Sequence, residues 1–182
     1  MYFTKIYFQQ QTELSVLKIT KISGNIFADN ELKKRFETLD KQGKCELLQV
    51  TRQELEKTRL RKNTDKGTDV GLSFNGSTKL NHGDILISED RFILVEQIPE
   101  KVISIKIKQN LNQTELLVLL GHIIGNRHRS IAIDKQTIKF PIQADSELGL
   151  FKNLFAEFLE HLEIKVEERV FVPRKGMDVH GH

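Results

Sequence analysis

The segment Ile103-Ser104-Ile105-Lys106-Ile107-Lys108 decides how the second half of this chain folds. Apolar and polar side chains alternate strictly along it, and this period of two predicts a β-strand that buries one face. A helix is expected to follow. Asn112 and Glu115 have the spacing of an N-terminal cap, the next residues are mostly apolar, and Gly125 ends the helix after Ile124.

The pattern continues outward from that strand and helix. Short strands are predicted at residues 130–133 and 137–141, with a turn between them, and a last strand at 166–172. Asp145 or Ser146 caps a second helix, whose apolar face has helical spacing and consists of Leu148, Phe151, Phe155, Phe158 and Leu162. The order β-α-β-β-α-β is that of a split β-α-β, or ferredoxin-like, domain. It predicts a four-stranded antiparallel sheet with two helices on one face.

Turn signals divide the first half of the chain into shorter segments. Asp65-Lys66-Gly67 forms a hairpin turn between two predicted strands. A short amphipathic helix at 29–40 and a single helical turn that begins at Thr51 interrupt the strands. Pro99 marks the end of this region, because proline cannot donate a hydrogen bond to a sheet. The predicted strands lie near residues 1–8, 16–20, 57–64, 68–74, 85–87 and 92–95.

We therefore predict an α+β chain with two domains and a tail. Residues 1–97 form a small all-β N-terminal domain, and residues 98–172 form the ferredoxin-like βαββαβ domain. Residues 173–182 form a flexible polar tail that ends in His180-Gly181-His182.

Composition excludes several classes of protein. The chain has 182 residues, 38% hydrophobic and 29% charged, and no apolar run approaches the ~20 residues that span a bilayer. A net charge of +3 with acids and bases interspersed gives no reason to expect a nucleic-acid partner. Cys45 is the single cysteine, so no internal disulfide can form, and no secretory signal is recognisable. We expect a cytoplasmic protein without a membrane or nucleic-acid partner.

No enzyme signature is present in the sequence. GxSxG, HExxH, GxGxxG and GxxxxGK[ST] are all absent, and the carboxylates are not grouped as an acid–base pair. We therefore predict a protein that is not an enzyme.

The histidines are the residues that point most clearly to chemistry. His128 is expected at the start of a strand just beyond the helix stop, where it is either a metal ligand or an ordinary surface or core histidine. One imidazole makes a poor metal site, but a two-fold dimer axis would bring two copies together. His180 and His182 are either additional ligands or a disordered end. We interpret His122, His82 and His161 as surface residues and Cys45 as structural.

Two segments together resemble the urease accessory protein UreE family, which are nickel metallochaperones. One is residues 59–72, Arg-Leu-Arg-Lys-Asn-Thr-Asp-Lys-Gly-Thr-Asp-Val-Gly-Leu, followed by Leu80 and Gly83-Asp84-Ile85-Leu86. The other is Gly125-Asn126-Arg127-His128, placed after a helix in the second domain. The resemblance covers about residues 50–172, whereas residues 20–48 look like a part that varies within the family.

The resemblance carries specific expectations. It implies that the N-terminal domain is similar to a peptide-binding domain of heat-shock co-chaperones, and that the ferredoxin-like domain binds metal and forms a homodimer. His128 would bind Ni²⁺ at the dimer interface, and His180 and His182 would supplement it. The implied partners are the urease GTPase UreG and the urease apoprotein complex.

Two features depart from some members of the family. The hairpin strand at residues 138–141 carries no histidine, and the tail carries only two. Both argue against nickel storage and fit one shared ion. Two alternatives stay open: a peptide- or protein-binding scaffold in which the histidines are incidental, or a general buffer for zinc, copper and nickel. Zn²⁺ or Cu²⁺ would also bind imidazole, so ligand type does not fix the metal.

Overall fold

The computed structural model describes residues 16–88, 91–108 and 113–173. The chain divides between Gln97 and Ile98 into two compact units. Within the described residues, none of the helices has the length and apolar character needed to cross a membrane. The strand predicted at 1–8, the cap at Asn112 and the tail histidines lie outside the described residues.

Among its described residues, 16–88 and 91–97, the first unit contains seven strands in two sheets and two helices. One sheet has the order β1-β5-β4, with β1 parallel to β5; the other has the order β2-β6-β7-β3, with β3 parallel to β7. The strands are β1 (Leu17–Ile19), β2 (Gly24–Asn25), β3 (Cys45–Val50), β4 (Arg59–Asn63), β5 (Asp69–Ser73), β6 (Asp84–Ser88) and β7 (Arg91–Gln97). The helices are α1 (Asn30–Lys41) and α2 (Arg52–Leu55).

The apolar positions of both sheets form the core of this unit. Leu48, Val50, Val70, Ile93 and Val95 are completely buried in one cluster that draws on both sheets. Burial of each branched side chain contributes roughly 1.5–3 kcal/mol of free energy, and the sum is the main contribution that holds the two sheets together. The hairpin predicted around Asp65-Lys66-Gly67 is confirmed as β4–β5.

The expectation of an all-β first domain is wrong. Helix α1 has 12 residues and begins at Asn30, because the Asp29 carboxylate accepts hydrogen bonds from the backbone N–H groups of Glu31 and Leu32 at 2.9 and 3.0 Å. The helical turn predicted at Thr51 is also confirmed, with a capping box between Thr51 and Glu54. The unit is therefore mixed α and β.

A buried carboxylate in this unit makes its stability depend on pH. Glu46 on β3 is 5% exposed, accepts a hydrogen bond from the Thr64 hydroxyl at 2.6 Å, and pairs with Arg91. Burial alone would raise the pKa of the Glu46 carboxyl, but the hydrogen bonds from Thr64, Thr68 and Arg91 outweigh it and hold this pKa below its ordinary value of 4.5.

We predict that the Glu46 interaction is lost in acid. Because the folded-state pKa lies below the unfolded-state pKa, the carboxylate contributes stability above pH 4.5, and this contribution disappears as pH falls through the folded-state value. Glu46→Gln should therefore lower the free energy of unfolding at about pH 7 and flatten its decline towards about pH 3. Urea unfolding of both proteins across this range measures the difference, and parallel pH profiles would contradict the assignment.

The described part of the second unit forms a four-stranded antiparallel sheet with the order β11-β8-β10-β9. The elements follow the chain order β-α-β-β-α-β, with a short 3-10 helix before the last strand. They are β8 (Glu100–Ile107), α3 (Gln113–Gly125), β9 (Ala132–Asp134), β10 (Thr137–Pro141), α4 (Ser146–Leu154), the 3-10 helix Ala156–His161 and β11 (Leu162–Arg169).

The last strand begins earlier than predicted. Leu162 has the helical spacing of the preceding phenylalanines, yet it is the first residue of β11 and pairs with Ile107. The reason is that α4 ends at Leu154 and a 3-10 helix takes over, so that the apolar spacing continues through a change of helix type. Periodicity alone could not show where the helix ended.

The core of the second unit fixes both helices against the sheet. The strand that opens the unit places Ile103 and Ile105 inward, both completely buried, as its alternation predicts. Helix α3 contributes Leu116, Leu120 and Ile124 at intervals of four residues. Ile124 is buried near the end of α3, so the core holds in place the start of the segment that follows α3.

Candidate metal site

His128 lies in a tight turn between α3 and β9, and the prediction that it begins a strand is wrong. The backbone N–H groups of Asn126, Arg127 and His128 donate to the carbonyls of His122, Ile124 and Gly125 at 2.9, 3.1 and 2.9 Å. These bonds satisfy the last carbonyls of α3, so the chain turns there, and the next strand starts only at Ala132.

The backbone of His128 adopts an uncommon conformation. Its φ angle is +51°, in the left-handed region that side chains other than glycine seldom enter, although asparagine, aspartate and histidine do so more readily than others. The turn thereby presents the histidine at the surface, where the residue is exposed. Within the described part of the chain, the imidazole has no hydrogen bond, ion pair or ring contact, so both ring nitrogens are open to a ligand.

A cleft of about 420 Å³ opens beside His128. One wall is the turn and the other is the first half of α4. Its lining is Asn126, Arg127, His128, Arg129, Glu147, Leu150 and Phe151. The cleft therefore combines one imidazole with two guanidinium groups and one carboxylate.

The charges around His128 are mostly positive. Arg127 is exposed, whereas Arg129 is tied by its Nη2 to the Glu147 carboxylate at 2.8 Å. The carbonyl end of α3 favours positive charge, but two neighbouring guanidinium groups oppose a divalent cation. A metal held here needs further donors to offset that repulsion.

The described residues of one chain do not supply those donors. Among them, no group of three or more histidine, cysteine, aspartate or glutamate side chains is close enough to hold a metal ion. His128, the predicted ligand in the described part of the chain, therefore does not belong to a cluster of three or more possible metal ligands there. His180 and His182, the other predicted ligands, lie outside the described residues.

The remaining histidines and the cysteine occupy other positions. His122 is exposed on α3, as predicted, and its Nε2 lies 2.9 Å from the Asn126 amide nitrogen. His82, predicted to be a surface residue, is partly buried, and its Nδ1 accepts a hydrogen bond from the Gln97 backbone N–H at 3.2 Å. Cys45 is 4% exposed, and burial raises the pKa of its thiol, with a further contribution from Asp40. A buried protonated thiol agrees with its structural interpretation.

Sequence reasoning did not single out Arg129 or Glu147. They are 18 residues apart and belong to different elements, and neither has a spacing that signals a pair. Only the packing of α4 beside the turn brings them together.

Comparison with known proteins identifies the relatives of this chain. The model of the UreE urease accessory protein N-terminal domain matches residues 19–96. The urease accessory protein UreE of Lysinibacillus sphaericus is 31% identical over 121 residues, which cover 66% of this chain and 74% of that protein. The chain belongs to the urease accessory protein UreE family. The matched N-terminal domain includes residues 20–48, so the interpretation that they fall outside the resemblance is wrong.

Other UreE relatives match over a similar share of the chain. The UreE of Natronomonas pharaonis is 29% identical over 129 residues, 70% of this chain and 60% of the relative. That of Cupriavidus necator is 27% identical over 132 residues, 71% of this chain and 62% of the relative. The chain thus spans less than two thirds of the length of these two UreE proteins. His128 lies beyond the residues that the N-terminal domain model matches.

Proposed function

We propose that this protein is a cytoplasmic nickel metallochaperone that delivers Ni²⁺ for assembly of the urease active site. One observation carries the proposal: an imidazole with no partner among the described residues is presented on a hydrogen-bonded turn at the edge of an open cleft. Neutral imidazole is a common ligand for nickel, and membership of the UreE family supports nickel as the cargo. The expected role is binding and transfer, not catalysis.

The ion would be shared between two chains. One imidazole gives a weak site, and among the described residues no group of three or more metal-binding side chains surrounds it. A two-fold axis through the second unit would place two His128 side chains on one ion, and His180 and His182 from the tails would raise its affinity without closing the site. Such a site has few ligands and stays open, so a recipient protein can compete for the ion.

The outer side of α3 is a suitable surface for the second copy. Its inner side is buried through Leu116, Leu120 and Ile124, whereas Leu117 and Val118 are 45% and 64% exposed. A helix that is apolar on both sides normally has a partner on each. This exposed side belongs to the helix that leads into the His128 turn, so a partner bound there would lie close to the metal ligand.

We predict that Val118→Glu produces a single-chain protein. A carboxylate on this surface would have to be desolvated in the dimer, which costs several kcal/mol. Sedimentation velocity should show a two-chain species for the wild type and a one-chain species for the variant, with weakened nickel binding. Val172→Glu is the matched control, since Val172 is 66% exposed outside α3. A Val118→Glu protein that still sediments as a dimer would place the interface elsewhere.

The two units would have separate roles. We propose that residues 1–97 act as a peptide-binding-like domain, and that residues 98–172 act as a ferredoxin-like domain for metal binding and dimerisation. The recipients would be the urease GTPase UreG and the urease apoprotein complex. Zn²⁺ and Cu²⁺ are expected to bind the same imidazoles, so selectivity would depend on which metal is available and on the recipient.

Nickel titration of the wild-type protein tests this proposal. Calorimetry should show saturation at about one ion for two chains, with binding dependent on His128. Saturation without any contribution from His128 would instead favour a scaffold whose histidines are incidental.

A further inference from the structure

One ion pair connects the His128 turn to the neighbouring helix. Arg129 follows His128 directly, and its Nη2 donates to the Glu147 Oε2 at 2.8 Å. The two side chains are only 20% and 18% exposed. An ion pair that is four-fifths buried is screened little by solvent, and it constrains its two partners much more than a surface pair does.

A second ion pair near the same helix end provides a contrast. Lys101 Nζ lies 2.7 Å from the carboxylate of Asp145, the residue before α4, but these side chains are 47% and 77% exposed. Exposed pairs of this kind contribute little, because water competes for both groups and both side chains lose freedom on pairing. Lys101 is on β8, so this pair does not touch the turn.

Helix α4 is a firm anchor for Glu147. Phe151, one turn further along, is 1% exposed, and its ring centroid lies 4.7 Å from that of Phe140 and 5.8 Å from that of Phe155. Glu147 itself lies in the first turn, and its backbone N–H donates to the Ala144 carbonyl at 3.0 Å. Its carboxylate is therefore attached to a helix that is packed into the core.

The His128 side chain has no support of its own among the described residues, so its position depends on the backbone of the turn. That backbone holds a left-handed φ of +51°, which few residues adopt without support from their surroundings. Of the residues that the structure describes, the Asn126 side chain reaches only His122, near the end of the same helix. Arg129 is the residue that ties the turn to a different element.

We propose that Arg129 and Glu147 are positioning residues that hold the His128 imidazole in the orientation required for metal binding. The proposal rests on the nickel function proposed above. The ion pair orders the turn in the metal-free protein. Metal binding therefore loses no free energy to ordering the turn. Loss of an outer residue that orients a metal ligand typically weakens metal binding about 10–100-fold.

Positioning and simple electrostatics predict opposite results for one substitution. Removal of the Arg129 charge reduces the repulsion of a divalent cation, so electrostatics alone would make Arg129→Met bind nickel more tightly. Positioning requires that Arg129→Met bind more weakly, by a factor similar to that for Glu147→Ala. The double variant should then be no weaker than either single variant, because both substitutions remove the same interaction.

The test compares Glu147→Ala, Arg129→Met and the double variant with Asp145→Ala, which breaks the exposed pair near the same helix end. Nickel affinity is measured by calorimetry on the full chain. The order of the amides of residues 126–130 is measured by NMR relaxation in the metal-free protein. We expect about tenfold weaker binding and a more mobile turn in the first three variants, and wild-type behaviour in Asp145→Ala.

Wild-type affinity and turn order in Arg129→Met, or tighter binding, would overturn the inference. If Glu147→Ala does not fold, Glu147→Gln keeps the volume of the side chain and should give a smaller loss in the same direction. His128→Asn, measured alongside, separates this inference from the proposed function. If His128→Asn loses nickel binding and the ion-pair variants do not, the positioning inference is refuted and the nickel function stands. If His128→Asn binds nickel as the wild type does, the nickel function is refuted. In that second case the NMR data on the turn still decide whether the pair orders it.

Discussion

Replacing His128 by asparagine is expected to remove high-affinity nickel binding. The variant deletes both imidazoles of the proposed shared site, one from each chain, so the loss should exceed the roughly 10–100-fold typical of an outer residue that only orients a ligand. Asparagine is the appropriate substitute because, after glycine, it tolerates the left-handed backbone that His128 adopts at φ +51°. Alanine would add backbone strain to the loss of the ligand. Nickel calorimetry at about pH 7 measures the effect.

His122→Asn is the matched control for that variant. His122 is exposed six residues earlier in the same segment, and its Nε2 is already engaged by Asn126 at 2.9 Å. We expect this variant to bind nickel as the wild type does. If both variants lose nickel affinity equally, the effect would not be specific to the His128 imidazole.

Replacing Phe151 by alanine should cost about 3–5 kcal/mol of unfolding free energy, the largest stability effect that we predict. The side chain is 1% exposed and packs between Phe140 and Phe155, with ring centroids at 4.7 and 5.8 Å. Its removal leaves a cavity where α4 meets the sheet, and two aromatic contacts are lost with it. Urea unfolding monitored by circular dichroism should show the transition of the second unit at a lower urea concentration.

Lys152→Ala tests whether that loss comes from burial. Lys152 is the next residue on α4 and is exposed, so its replacement should change stability by no more than about 0.5 kcal/mol. Similar losses in both variants would mean that α4 is not anchored by its phenylalanines. The anchoring matters for the site as well, because Phe151 also lines the cleft beside His128.

Periodic segments of this fold could be predicted from the sequence because periodicity reports burial directly. Ile103, Ile105 and Ile107 alternate with polar residues, and all three are buried in the structure. The helix predicted at 29–40 is Asn30–Lys41, and of the two possible caps in the sequence, Asp29 and Asn30, the structure uses Asp29. The hairpin at Asp65-Lys66-Gly67 depends on local turn chemistry and was equally predictable.

Features that depend on contacts distant in sequence could not be predicted in the same way. No local pattern shows that β1 pairs in parallel with β5 across more than 50 residues. The turn at His128 was interpreted as the start of a strand, because nothing in its sequence shows that its amides bond back to the end of α3. The Arg129–Glu147 pair is of the same kind, since it exists only once α4 has packed beside the turn.

The proposed metal site holds one nickel ion between the His128 residues of two chains. Native mass spectrometry after addition of substoichiometric nickel tests it most directly, because it counts chains and ions in the same particle. We predict a two-chain species that carries a single ion, and a His128→Asn protein whose two-chain species carries none. A single chain that holds nickel by itself, or a His128→Asn dimer that retains the ion, would contradict the claim.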